Sequence, residues 1–202
     1  DGGRRPAGRR PGRRFRAAEG EHPPPVGFPL AIVVARRPGP DAILVPKVER
    51  PEQVLEVEKR MLERNAPPKT TIWCMMETPL GILNAREIAS ASRRTACFVM
   101  GTSDLTKDLH AEHTALRLPM LTSLGICLLA ARAYGLAILD GVYLELSNEE
   151  GFRQACTQGR ELGFDGKTLI HPNQLATCND VFSPSPAEVD HAKRIILAHS
   201  EA

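Results

Sequence analysis

Continuous apolar runs alternate with amphipathic segments along the chain from about Pro29 onward. Five of these runs predict buried parallel strands, because a strand covered on both faces lacks the apolar–polar alternation of a half-buried one. The predicted strands cover residues 42–49, 70–77, 95–101, 138–146 and 166–172. Helical spacing predicts helices over residues 51–63, 81–92, about 119–134, 149–162 and 186–200, and the end of a further helix at 31–37. Strands that alternate with helices every ~25–35 residues indicate βαβ units and a parallel sheet.

Polar residues gather at the carboxyl end of each predicted strand. They are Lys47, Glu49, Glu77, Thr78, Ser103, Asp104, Asp140, His171 and Asn173. In parallel α/β folds, ligands bind at the carboxyl ends of the strands. We therefore expect these side chains to form a site rather than part of the core.

The composition is that of one α/β domain. The chain has 202 residues, of which 42% are apolar and only 4% aromatic, which suits a single core of aliphatic side chains. No apolar run reaches about 18 residues, so the sequence predicts no membrane-spanning helix. The five cysteines are dispersed without a C-x-x-C pair, and this pattern predicts buried, reduced thiols in a cytoplasmic protein.

The positive charge of the chain lies in its first 28 residues. Residues 1–28 carry seven arginines against three acidic residues, which leaves 19 basic and 21 acidic residues in the remainder. The body is therefore mildly acidic, and we expect no nucleic-acid partner. The Arg-, Pro- and Gly-rich segment has little to bury and predicts disorder. We interpret residues 1–28 as a non-native leader, with a polybasic arm or a transit peptide as alternatives, and residues 29–202 as the folded domain.

Two carboxylates follow neighbouring predicted strands and predict a metal site. Glu77 closes the run IWCMM, and Asp104 follows FVMGTS. Such a pair supplies the hard oxygen ligands that Mg²⁺ prefers, with Mn²⁺ as the alternative ion. The competing interpretation is two unrelated carboxylates that cap helices, with Asp104 at the start of a helix from Leu105. Nearby, Gly101 would allow a ligand carboxylate to approach the backbone, and Lys47 is either an anion contact or an ion-pair partner of Glu77 or Glu49.

Three histidines are candidates for further chemistry. His110 and His113 lie in a polar, loop-like stretch with no third ligand, so we assign them to solvent rather than to zinc. His171 directly follows a predicted strand. It either holds the Pro172 turn through a side-chain-to-backbone hydrogen bond or contacts the substrate.

Six ordered motifs carry a family resemblance over about residues 29–200. The segments are VPKVE, MMETPLGILN, FVMGTSDL, LDGVY, GFDGKTLIHPNQ and FSPSPAEV. They resemble the citrate lyase beta-chain-like CoA ester lyases (the HpcH/HpaI aldolase/citrate lyase family), which include malyl-CoA and citramalyl-CoA lyases. The resemblance implies a TIM (β/α) barrel, of which about five of eight strands are visible, and assembly into trimers or hexamers.

The resemblance also implies an activity and a set of site residues. Members of the family cleave a β-hydroxyacyl-CoA to acetyl-CoA and a 2-oxo acid such as glyoxylate or pyruvate, with Mg²⁺ as cofactor. By motif, Glu77 and Asp104 correspond to the metal ligands. Substrate contacts are expected from Lys47, Gly101, Thr102, Ser103, Ile170 and His171, the last two toward CoA.

Other parts of the family pattern have no counterpart in the sequence. Three strands, a supporting arginine and a lid aspartate are missing, so we expect a chain truncated at both ends and assign no catalytic acid or base. One alternative is an inactive homologue that retains metal or CoA binding or co-assembles with an intact paralogue. Another is an aldolase acting on free 2-oxo acids.

Overall fold

A five-stranded parallel sheet forms the centre of the molecule. The computed structural model describes residues 40–200, in which the strands follow one another in the order β1-β2-β3-β4-β5. They are β1 (Ala42–Val45), β2 (Thr71–Met76), β3 (Thr95–Met100), β4 (Ala137–Asp140) and β5 (Gly166–Lys167). The prediction of an α/β fold with five parallel strands is confirmed, and within residues 40–200 the sheet does not close.

Helices connect the strands and extend the chain beyond the sheet. They are α1 (Pro51–Glu63), α2 (Pro79–Leu83), α3 (Ala85–Ser90), α4 (Thr102–Asp108), α5 (Leu121–Ala133), α6 (Glu149–Leu162), α7 (Gln174–Phe182) and α8 (Pro186–Ser200), with a 3₁₀ turn at Leu118–Met120. None of the helices within residues 40–200 is long and apolar enough to cross a membrane. The leader at 1–28 and the helix end at 31–37 lie outside the described residues.

Three of the predicted strands end earlier than their apolar runs. The run 42–49 stops at Val45, because Lys47 adopts a left-handed backbone with φ of 47° that turns the chain out of the sheet. The runs 138–146 and 166–172 end at Asp140 and Lys167. Beyond these points, apolar residues such as Leu144 and Ile170 are at least half exposed. Hydrophobicity alone therefore overestimated the strands where the chain turns into the loops at their carboxyl ends.

The helix predictions need three corrections. The helix expected over 81–92 is two short helices that meet at Asn84, whose side-chain amide donates to the carbonyl of Glu49 at 2.8 Å. Helix α7 was not predicted. Helix α4 begins at Thr102, so Asp104 lies inside its first turn and is not the cap of a helix from Leu105.

One contiguous core lies between the sheet and the helices that cover it. Ile72, Phe98 and Ile138 contribute fully buried side chains from neighbouring strands, and Leu124 from α5 and Met61 from α1 pack against them. A smaller cluster of Phe152, Cys156 and Cys178 lies apart from it. All five cysteines are buried and free, as the sequence predicts.

We expect the two leucines of α5 to differ sharply in their contribution to stability. Leu124 is fully buried, whereas Leu129 is 75% exposed on the same helix. Leu124→Ala should lower the free energy of unfolding by about 2–5 kcal/mol, since it leaves a cavity. Leu129→Ala should change it by less than about 0.5 kcal/mol. Urea titration followed by circular dichroism measures both, and equal effects would contradict the placement of α5.

Candidate active site at the carboxyl ends of the strands

Three charged residues that follow successive strands meet at one end of the sheet. Lys47 follows β1, Glu77 follows β2, and Asp104 lies in the first turn of α4 after β3. The backbone N–H of Lys47 donates to Glu77 Oε1 at 2.8 Å, and its Nζ lies 3.1 Å from Asp104 Oδ1. We call these three residues the carboxylate site. The ammonium group of Lys47 pairs with Asp104, and not with the expected Glu77 or Glu49.

The backbone around Lys47 is held in place by the start of α1. The side-chain oxygen of Gln53 accepts from the N–H groups of Glu49 at 2.7 Å and Arg50 at 3.0 Å, and its amide donates to the Lys47 carbonyl at 3.3 Å. These bonds support the left-handed conformation that directs the Lys47 N–H toward Glu77. Gln53, in the first turn of α1, thus helps to orient the Glu77 carboxylate at the end of β2.

Gly101 leaves the space that the Glu77 side chain occupies. A Cβ atom at this position would lie 2.4 Å from Glu77 Cβ and 2.6 Å from Glu77 Oε2. The Gly101 N–H donates to the Met76 carbonyl at 3.1 Å, which fixes the two strand ends side by side. The space beside Gly101 is therefore occupied by the Glu77 side chain. The expected contact of Gly101 with substrate stays a prediction.

The carboxylate site is short of positive charge. Glu77 is only 4% exposed, and burial raises its pKa above the ordinary value. The neighbouring Asp104 also raises this pKa, whereas Lys47 lowers it. The hydrogen bond to Asp104 raises the pKa of Lys47 in turn. One ammonium group therefore faces two carboxyl groups, one of them buried, and this is an arrangement that an added cation would stabilise.

A second group of charges surrounds Asp140 at the end of β4. The fully buried Asp140 carboxylate accepts from Arg117 Nη1 at 2.6 and 2.8 Å and from Lys167 Nζ at 2.8 Å. Arg117 is further held by Gln158, whose Oε1 accepts from Nε at 2.7 Å. We call Arg117, Asp140 and Lys167 the buried ion cluster. It carries two cations for one anion.

Sequence reasoning found only one member of this cluster. Asp140 was expected from its position at a strand end. Arg117 lies in an irregular loop with no spacing signal and reaches Asp140 from 23 positions away. Lys167 did offer a signal, since a lysine inside the run GKTLI is unusual for a buried strand.

The other predicted site residues follow β3 and β5 along the chain. Thr102 is buried, and its hydroxyl lies so close to Gly141 that a Cβ there would be 2.4 Å away, so Thr102 contacts the loop beside Asp140. Ser103 is half-buried on α4. Ile170 is 50% exposed after β5. Its N–H donates to Gln174 Oε1 at 3.1 Å.

The histidines separate as the sequence indicated. His171 Nδ1 accepts from the Asn173 N–H at 3.2 Å, which confirms the turn-holding role and leaves the substrate contact as a prediction. His110 and His113 are exposed. Within residues 40–200 no group of three or more His, Cys, Asp or Glu side chains converges on one point, so Glu77 and Asp104 would bind a metal as a pair.

Parallel strands that lie side by side in sequence order and are joined by helices are the arrangement of a TIM-barrel-type α/β protein, and within residues 40–200 this sheet is open. The family model described as HpcH/HpaI aldolase/citrate lyase matches residues 25–172. The chain belongs to this family, as the motifs indicated.

Curated relatives carry two different names. The (3S)-malyl-CoA thioesterase of Cereibacter sphaeroides (strain ATCC 17029 / ATH 2.4.9) is 53% identical over 162 residues, which are 80% of this chain and 54% of the relative. The citrate lyase subunit beta of Escherichia coli (strain K12) is 36% identical over 171 residues, 82% of this chain and 57% of the relative. The chain thus spans about half the length of the curated relatives it matches.

Solved structures of similar proteins include complexes with ligands. CitE from Mycobacterium tuberculosis in complex with magnesium, acetoacetate and coenzyme A has 28% identity and a TM-score of 0.61. The match covers 80% of this chain and 58% of that one. The likeness extends the family assignment to the three-dimensional arrangement.

We expect Gly101→Ala to destabilise the protein because the new methyl group displaces Glu77. Overpacking at a contact this close typically costs about 1–3 kcal/mol. Gly125→Ala is the matched control, since a Cβ at this helical position meets no atom within 4 Å. It should stabilise α5 by about 0.5–1 kcal/mol. Urea unfolding measures both, and a neutral Gly101→Ala would show that Glu77 does not lie against this glycine.

Removal of the central charge of the buried ion cluster should be strongly destabilising. Asp140→Asn leaves Lys167 and Arg117 without their counter-ion, and the loss of one partner from a buried pair costs about 3–5 kcal/mol. Asp180→Asn is the control, because Asp180 is 68% exposed and pairs at 2.8 Å with an exposed arginine. The control should leave the unfolding midpoint unchanged within error. Equal midpoints for both variants would contradict the burial of this cluster.

Proposed function

We propose that the protein is a divalent-metal-dependent carbon–carbon lyase that acts on a β-hydroxyacyl-CoA such as malyl-CoA or citramalyl-CoA. The products are acetyl-CoA and a 2-oxo acid, glyoxylate or pyruvate. The observation that carries the proposal is the convergence of Glu77 and Asp104 beside Lys47 at the carboxyl ends of β2 and β3. Family membership and the 80% coverage by a relative named for malyl-CoA support the substrate class.

The residues at this position fit Mg²⁺, or Mn²⁺ with the same oxygen ligands. Mg²⁺ characteristically takes one or two protein carboxylates and completes its shell with water and substrate oxygens. The raised pKa of Glu77 reflects burial and an acidic neighbour, and a divalent cation would relieve both costs. The similar structure from M. tuberculosis contains magnesium, which supports this choice of ion.

When bound, the metal supplies a Lewis acid that polarises the carbonyl oxygen of an oxo acid and orients its carboxylate. Glu77 is the rigid ligand, since Lys47 and Gly101 hold it in a single position. Asp104 is the adaptable one, with a side chain 47% exposed. Lys47 is equally free to leave Asp104 and pair with an anionic substrate, because its side chain is 53% exposed.

Substrate recognition is proposed for the residues that flank this pair. The first-turn N–H groups of a helix lack intrahelical partners, so Thr102 and Ser103 at the start of α4 can donate to a substrate carboxylate. Ile170 and His171 lie in the exposed loop after β5, where we place the CoA portion. The CoA ester, the 2-oxo acid and a homo-oligomer of three or six chains remain proposals for the whole protein.

Hydrolysis of the thioester is a second candidate function. Its specific support is the name of the 53% identical relatives, (3S)-malyl-CoA thioesterase. Lyase and thioesterase would share the substrate and the metal site but break different bonds. The lyase yields acetyl-CoA and glyoxylate from malyl-CoA, whereas the thioesterase yields free CoA and malate.

Incubation of the full chain with (3S)-malyl-CoA and Mg²⁺, followed by mass spectrometry of all products, distinguishes the two. Acetyl-CoA with glyoxylate supports the lyase, and malate with free CoA supports the thioesterase. Free malate in place of the thioester tests for an aldolase that needs no CoA. An inactive partner chain is supported if calorimetry shows binding of Mg²⁺ and glyoxylate without turnover, and if addition of an intact family member restores turnover.

Absence of both binding and turnover would contradict all four hypotheses: the lyase, the thioesterase, the aldolase and the inactive partner chain.

We expect Glu77→Gln and Asp104→Asn each to reduce turnover of the active substrate by at least about 100-fold. A lost ligand weakens metal binding, and the effect of even an outer-shell change is typically 10–100-fold. Asp108→Asn is the matched control, because Asp108 is an exposed carboxylate on the same helix as Asp104. Steady-state kinetics with and without EDTA measure the effect. Full activity in Glu77→Gln would contradict the metal assignment.

A further inference from the structure

Helix α4, which carries Asp104, is too short to hold its own position. It has seven residues, and it begins after Gly101, which has no side chain to cap it. An isolated helix of this length is not stable in water, so its place depends on tertiary contacts. The ion pair of Asp104 with Lys47 adds little, because both side chains are about half exposed. The position of Asp104 therefore depends on what packs against α4.

The loop after β4 contacts the first residue of α4. Thr102 is buried, and a Cβ atom at Gly141 would lie 2.8 Å from Thr102 Cγ2 and closer still to its hydroxyl oxygen. The Gly141 N–H donates to Asp140 Oδ1 at 2.8 Å. The Asp140 carboxylate thus holds the backbone on which the start of α4 rests.

The segment before α5 contacts the same helix one turn further on. Thr106 Oγ1 donates to the Thr102 carbonyl at 2.6 Å and lies 3.6 Å from Met120 Sδ. Met120 is buried in the 3₁₀ turn, and its N–H donates to the Arg117 carbonyl at 2.8 Å. Arg117 in turn donates to both oxygens of Asp140. One ion pair therefore joins the two segments that contact α4.

Arg117 is held in an arrangement that it would not adopt by itself. Its backbone is left-handed, with φ of 53°, which is unfavourable for a residue with a side chain. Its Nη2 is buried without a hydrogen-bond partner among residues 40–200, although buried donors are usually paired. Gln158 holds it in place, since Oε1 accepts from Arg117 Nε at 2.7 Å and Nε2 donates to the Leu116 carbonyl at 2.6 Å. Strained residues of this kind cluster at functional sites.

Asp140 has a counter-ion without Arg117. Lys167 Nζ lies 2.8 Å from Asp140 Oδ2, and both side chains are almost completely buried. This pair balances one charge with one charge, so the arginine is a second cation. What Arg117 adds is the connection between the end of β4 and the segment before α5.

We propose that Arg117 is a positioning residue for the metal site. Its ion pair with Asp140 fixes the two segments that contact α4 and thereby the place of Asp104. Glu77 is held independently at the end of β2, so a displaced α4 would change the separation of the two carboxylates. Mg²⁺ demands near-ideal octahedral geometry and tolerates little change of this kind. The inference rests on the proposed metal site and deepens it.

The test is Mn²⁺ binding to the full chain without substrate, measured by electron paramagnetic resonance of the free ion. Arg117→Met keeps most of the side-chain length but removes the ion pair. We expect it to weaken Mn²⁺ binding about tenfold, the lower end of the effect of outer-shell changes on metal affinity. Gln158→Ala changes no charge but releases Arg117, and we expect a smaller loss in the same direction.

Two control variants separate positioning from other effects. Gln154→Ala is the matched control for Gln158→Ala, because Gln154 is exposed on the same helix and its amide donates to Glu150 at 3.0 Å. Met61→Ala removes a fully buried side chain near the end of α1 that leads into β2. It destabilises the fold from the opposite edge of the sheet. Both variants should bind Mn²⁺ as the wild type does under conditions where circular dichroism shows them folded.

The outcomes distinguish failure of this inference from failure of the metal site. If Glu77→Gln loses Mn²⁺ binding and Arg117→Met does not, the inference alone is overturned. An equal loss in Met61→Ala also overturns it, since the effect would then be general destabilisation. If the wild type does not bind Mn²⁺, or Glu77→Gln binds it equally well, the metal site and the inference both fail. If Arg117→Met does not fold, Gln158→Ala decides by the same criteria.

Discussion

The burial of the Glu77 carboxylate is the constraint on which the rest of the site depends. A carboxyl group that is 4% exposed needs hydrogen-bond donors and space, and both come from neighbouring strands. The Lys47 N–H is available because the chain turns left-handed after β1. The space exists because Gly101 has no side chain. Three strand ends are thus held in one arrangement by a single acidic side chain.

Two clusters with opposite charge excesses lie at this end of the sheet. The carboxylate site has two carboxyl groups for one ammonium, whereas the buried ion cluster has two cations for one carboxylate. Thr102 and Gly141 stand in contact near the ends of β3 and β4. The first excess suits a divalent cation, and the second suits an anion. Within the buried ion cluster, Lys167 of β5 pairs with Asp140 of β4 and so links the two strands.

Much of the architecture could be predicted because the patterns that encode it are local. Five apolar runs identified five strands in their correct order, and the helical spacing of α1, α5, α6 and α8 identified those helices. The errors in the strands fell at the carboxyl ends of β1, β4 and β5, where apolar residues continue although the chain leaves the sheet. There, the backbone conformation at Lys47 turns the chain away after β1, and the pairing of β4 with β5 stops at Asp140 and Lys167. Neither has a signal in residue type.

The sequence by itself determined the family, the parallel α/β class and the two acidic residues at neighbouring strand ends, since motifs and strand-end positions depend only on order along the chain. The tertiary structure decided which groups meet. It paired Lys47 with Asp104 across 57 positions and brought Arg117 and Lys167 to the same Asp140 carboxylate. These contacts depend on how the strands align and how the loops turn after them, and no local pattern records the distance between residues that far apart.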